Sequence, residues 1–90
     1  MSAKVRNKRL YTQARLSTGC SQDDWGRLFN LGIKKGQDIV SKKENDAKGV
    51  NLPEALSSEL LRFLHDQGYD VKNIEFNEQG EITNIKKFKK

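Results

Sequence analysis

The side chains of this sequence that can do chemistry are mostly cations, and they are grouped. Lys4, Arg6, Lys8, Arg9 and Arg15 all precede the first acid at Asp23, and Lys34, Lys35, Lys42, Lys43 and Lys48 follow in the same half. Such a distribution suits a polyanion: each basic side chain that neutralises a phosphate releases a counterion, and the gain adds along the contact. Other chemistries find less support. One Cys and one His, at positions 20 and 65, make neither a disulfide framework nor a zinc site. Asp23 and Asp24 stand where a helix begins, with no His beside them. No nucleophile and base pair, phosphate loop or metal-ligand spacing occurs, so the expectation is no enzyme and no cofactor.

The formal charge of +5 over 90 residues conceals a division: residues 1–49 carry +6, residues 50–85 carry −5 and residues 86–90 carry +4. The expected arrangement is a phosphate-binding face on the first half, with the acidic half turned away; a DNA mimic would have the opposite sign. Only 34% of the residues are hydrophobic, so the core of so short a chain is marginal and self-association is the remaining support. No apolar run approaches a membrane span, and the start MSAKVRNKRL lacks the apolar stretch of a signal peptide. A cytoplasmic protein with no membrane partner is expected.

The elements that must position these cations follow from periodicity and caps. Residues 5–18 are good helix formers without Pro or Gly, with Leu10 and Ala14 four apart, and Gly19 ends them. Ser21 is an N-cap for a second helix over residues 22–30. Its Asp23 and Asp24 suit the helix dipole, and Trp25, Leu28 and Phe29 form one apolar stripe. Residues 30–32 read as a tight break. A third helix begins between Ile33 and Gln37 and reaches Glu44 or Asn45, with Ile33, Gly36, Ile39 and Val40 inward. Pro53 opens a fourth, whose Leu56, Leu60, Phe63 and Leu64 are spaced as an inward stripe ending at Gly68. His65 falls in its last turn, where it complements the dipole. Ile74 and Phe76, then Asn77 to Gly80, then Glu81 to Ile85 spell a β-hairpin, with a bulge or an early strand end because Ile82 and Ile85 cannot share a face. Phe88, among four lysines, is expected in a frayed tail.

The run RLSTGCSQDDWGRLF at residues 15–29 resembles the Cro and lambda-repressor (XRE-like) type of helix-turn-helix domain. Arg15, Gly19, Cys20, Ser21, Gln22, Trp25, Gly26 and Phe29 match its pattern in order and spacing. The resemblance covers about residues 10–45 and implies a mainly α, helix-turn-helix four-helix core that binds duplex DNA. Asn30 stands where that turn usually has Gly, and Gly36 where the recognition helix usually has Val or Ile. A second alignment, with four residues inserted in the turn, instead equates residues 40–45 with the end of the third helix.

On this resemblance Ser21 and Gln22 present the N-terminus of the second helix to a phosphate, joined by Arg6, Lys8, Arg9, Arg15, Lys43 and Lys48. The third helix lies in the major groove, with Lys34, Lys35, Gln37, Asp38, Ser41 and Lys42 facing base edges. Gln37, Asp38, Ser41 and Lys42 are outward in both alignments. Trp25 and Cys20 are core, and Gly26 admits the third helix closely. The domain division is 1–68 for DNA binding and 69–90 for the hairpin and basic tail, with Ile74, Phe76, Ile82 and Ile85 as the dimerisation element. The expected function is a repressor binding an inverted-repeat operator as a homodimer, of the phage or mobile-element kind. Its rivals are an RNA-binding regulator and a small inhibitor whose basic face docks on an acidic protein.

Overall fold

Among the described residues, three of four α-helices begin at a side-chain cap. In the computed structural model, which describes residues 2–33, 36–45 and 48–88, Ser2, Ser21 and Asn51 each accept a hydrogen bond from the backbone N–H three residues on. They open α1 (Ala3–Ser17), α2 (Gln22–Phe29) and α4 (Leu52–Asp66). At α2 and α4 the bond is reciprocated: the Asp24 and Glu54 carboxylates accept from the cap's own N–H, which completes a capping box. The exception is α3 (Gln37–Glu44), which follows Gly36 at φ 114° with no side-chain cap.

The reason for that glycine is contact. A Cβ at position 36 would lie 2.7 Å from Asn30 Nδ2 and 3.1 Å from the Gly26 Cα, so two glycines bring α2 and α3 together, as expected for Gly26. Asn30 Nδ2 in turn donates to the Gly26 carbonyl at 2.6 Å. The connection is longer than the tight break read from residues 30–32: α3 starts only at Gln37, and residues 30–36 join the two helices. Of the inward stripe expected for α3, only Val40 is buried; Ile33 and Ile39 face outward.

The core gathers Tyr11 and Ala14 from α1, Trp25 and Leu28 from α2, Val40 from α3, Ala55 from α4, and Cys20, Val50, Val71 and Ile74 from the connections. Tyr11, Trp25 and Phe29 form an aromatic triad with ring centroids 5.3 to 6.1 Å apart. α1 packs along α4, and the small residues Ala14 of α1 and Ala55 and Ser58 of α4 are buried. The fully buried Ser58 hydroxyl donates to the Glu54 carbonyl at 2.7 Å, so its burial leaves no polar group unsatisfied. This reverses the expected orientation of α4. Leu56, Leu60 and Phe63 are exposed, together with Leu52, and of the expected stripe only Leu64 packs on the core.

After α4 a 3₁₀ turn (Val71–Asn73) leads to β1 (Glu75–Phe76), which pairs antiparallel with β2 (Ile82–Asn84). The register shifts at Glu75/Phe76 and β2 stops before Ile85, which resolves the phase conflict between Ile82 and Ile85. Residues 69–88 do not stand apart as the division at residue 68 anticipated, because Val71 and Ile74 lie in the same core as Trp25. The last described residues are also tied in. Asp70 N–H donates to the Lys86 carbonyl, Phe88 N–H to the Gly68 carbonyl, and the Phe88 ring stands edge-on to His65. Phe88 is therefore not frayed.

Candidate nucleic-acid interface

A carboxylate clamp lies under α3. Glu44, on its last turn, accepts from Arg15 Nε at 2.7 Å and Nη2 at 3.0 Å, and from Gln22 Nε2 at 3.0 Å. Arg15 Nη1 reaches the Cys20 carbonyl at 3.1 Å. One carboxylate thus ties α1, the start of α2 and the end of α3 into a fixed unit, and a bidentate Arg pair fixes orientation as well as distance. The side chains of Arg15 and Glu44 are only 15% and 9% exposed. A second tie joins Lys43 to Glu54 and so α3 to the N-terminus of α4, with the Lys43 ammonium 5.9 Å from the Tyr11 ring centroid.

These ties engage part of the expected phosphate-binding set internally. Arg15 and Lys43 pair with the carboxylates of Glu44 and Glu54. Gln22 is turned to Glu44, and the Ser21 hydroxyl is occupied by the Asp24 N–H at 3.0 Å. Partial burial opposes ionisation of Asp24, but the Ser21 backbone and side chain and then the charges of Lys72 and Arg27 outweigh it, holding the carboxyl below its ordinary range. The N-terminus of α2 is therefore supplied with the protein's own anions.

Arg6 and Arg15 are nine residues apart, roughly two and a half helical turns, so they leave α1 on opposite sides. Arg15 meets α3, whereas Arg6 and Arg9 line a groove with Gln13, Glu59 and Arg62 on the α4 side. Those two arginines do not join the α3 surface. Lys48 is exposed just beyond α3, its N–H bonded to the Lys42 carbonyl at 3.1 Å, and Lys8 is half-buried on the α1 flank that carries Arg15. Lys34 and Lys35 lie outside the described residues.

What remains on the outward side of α3 is a polar row. Gln37, Asp38 and Lys42 are exposed and Ser41 half-exposed, with the Lys42 ammonium 3.2 Å from Asp38 and Asn45 Nδ2 3.3 Å from Ser41 Oγ. Asn45, on the same face, and Glu44, beneath it, escaped the sequence reading. Glu44 follows Val40 by four residues, so its inward phase was available from periodicity alone. Cys20 and Trp25 are buried as expected, and burial pushes the Cys20 thiol up, away from reactivity.

Of the hairpin set, Ile74 is 2% exposed and belongs to the core of a single copy. It cannot reach a second one. Phe76 and Ile85 pack partly against that core, and Phe76 also carries the Arg27 guanidinium 5.7 Å from its ring centroid, leaving Ile82 as the exposed member.

The fold is mainly helical with a small C-terminal antiparallel hairpin, and no helix among the described residues is long and apolar enough to cross a membrane. No protein-family model, curated protein or solved structure matches the chain.

Proposed function

We propose that the protein is a sequence-specific DNA-binding regulator, acting as a homodimeric repressor on an inverted-repeat operator. The observation that carries this reading is the combination at α3: Arg15, Glu44 and Gln22 hold its inner side rigidly, while Gln37, Asp38, Ser41 and Lys42 are left pointing outward. A side chain reads a base edge only if its helix is held within a fraction of an ångström, and amide, carboxylate, hydroxyl and ammonium groups match the donors and acceptors of the major groove. The Asp38–Lys42 pair nearly neutralises the row, so the row supplies discrimination and bulk attraction comes from its basic surroundings. With molecular extents of 36 by 28 by 19 Å, two copies side by side suit half-sites about 34 Å apart, one turn of duplex.

The test is a gel shift and footprint on the DNA flanking the gene, with random duplex and structured RNA as competitors. Two symmetric protected half-sites are expected. Gln37→Ala or Ser41→Ala should weaken operator binding about 5- to 100-fold, as loss of a base contact does, while leaving random-duplex affinity nearly unchanged. Equal loss on both DNAs would remove α3 as the reader; preference for RNA, or an acidic protein that binds equally well after both substitutions, would support the rival readings.

A further inference from the structure

Among the described residues, ten apolar side chains are buried and eleven large ones are exposed, an excess that a small domain does not leave to water without use. Four of the exposed ones form a single line. Leu52, Leu56, Leu60 and Phe63 follow one another at intervals of four, four and three residues along α4, each 53 to 59% exposed. One helical step round from Leu56 and Leu60 are Ser57 and Leu61. These form a wall of a groove of about 320 Å³, closed on its other sides by Phe29, Leu31, Phe76 and Ile82. Ridge and groove therefore lie side by side, and the residues that line them are all uncharged. On the far side of the ridge Arg62 pairs with Glu59 and Asp66 of its own helix, and at the groove's edge the Arg27 guanidinium lies over the Phe76 ring and donates to the Ile74 carbonyl.

We propose that this face is the interface with a second copy of the chain, related by a twofold axis, with the α4 ridge of each copy seated in the groove of the other. Three physical points favour that occupant. A twofold interface must be self-complementary, and adjacent convex and concave apolar surfaces satisfy this when one copy is turned on the other. The open parts of Leu52, Leu56, Leu60, Phe63 and Ile82 amount to roughly 100 Å² each, hence about 1,000 Å² over two copies, the size at which a specific interface begins. Nucleic acid and anionic membrane are poor fits, because the surrounding segment is net acidic and an interfacial helix needs Lys and Arg along its polar flank. The inference deepens the homodimeric reading above and replaces the hairpin as its main element, keeping Phe76 and Ile82 as walls of the groove.

Sedimentation velocity of the full chain without DNA, over a wide concentration range, tests it. The wild type should sediment as a dimer that persists when salt is raised. Leu60→Glu and Leu56→Glu should each give a monomer with unchanged helical circular dichroism, because both side chains are exposed in a single copy, and Ile82→Glu should weaken the dimer. Leu16→Glu, on an equally exposed residue of α1, should leave it intact. A monomeric wild type, a dimer dissolved by salt, or a dimer lost in Leu16→Glu and kept in Leu60→Glu would each overturn the proposal. A dimer with these properties that fails to bind the operator would leave the interface standing and remove only the DNA-binding reading.

Discussion

Glu44 shows how one residue decides what several others can do. Because its carboxylate accepts from Arg15 and Gln22 at once, two side chains that a motif assigns to phosphate contact become part of the scaffold. Composition made Arg15 one of five early cations, and nothing in that count distinguishes a cation with an internal partner from one without. The distinction depends on a carboxylate 29 residues away. Glu44→Ala would leave the Arg15 guanidinium, 15% exposed, without its counterion. Unfolding stability should fall by about 3 kcal/mol, the range seen when one member of a buried pair is removed. Urea denaturation checks this, and Lys42→Ala, whose pair with Asp38 is open to solvent, is the control, expected to change stability by less than about 1 kcal/mol. Comparable losses for both would mean that the clamp does not hold α3.

At the scale of elements, the starts of α2 and α4 were readable because their signals are local: Ser21 with the acids behind it, and Pro53 in the first turn. The facing of α4 was not. Its apolar spacing is genuine, but spacing alone does not say whether a stripe meets the core or a partner. Here the buried positions of α4 are Ala55 and Ser58, too small or too polar to register as a hydrophobic stripe. The start of α3 was undecided for a related reason, since Gly36 ends the connection by close contact with α2 and close contact leaves no periodic trace. Gly36→Ala should therefore be costly on two counts. Its φ of 114° disfavours any Cβ, and that Cβ would meet Asn30 and the Gly26 backbone. A loss of about 2 kcal/mol is expected, measured by thermal or urea unfolding, whereas Gly49→Ala, with nothing within 4 Å of the added carbon, should be nearly neutral. If position 36 tolerates Ala as well as position 49 does, the close α2–α3 contact is not what fixes the turn.

Over the whole molecule, the fold intermixes the charges that the sequence keeps apart: Lys43 pairs with Glu54, Lys72 lies 3.8 Å from Asp24, and Arg6 and Arg9 share a groove with Glu59. Arg15 and Lys43 are held by Glu44 and Glu54, Arg6 and Arg9 lie toward α4, and Lys42 and Lys48 remain exposed on or beside α3. On the proposed DNA-binding reading, the cations available to a duplex are therefore fewer than the count of basic residues in the first half. The salt dependence of binding measures that number, because each phosphate neutralised adds about 0.9 to the slope of log affinity against log salt. Lys48→Ala should lower the slope by about 1, whereas Arg9→Ala should leave it unchanged, since Arg9 stands beside Glu59 and Arg62 on the far side of α1. Lys43→Ala separates the two roles of a cation, and should reduce folding stability while leaving the slope of the folded protein as it was. Equal slope changes for Lys48, Arg9 and Lys43 would mean that DNA is held by diffuse charge over the whole basic half. In that case the outward row of α3 would not define a binding register.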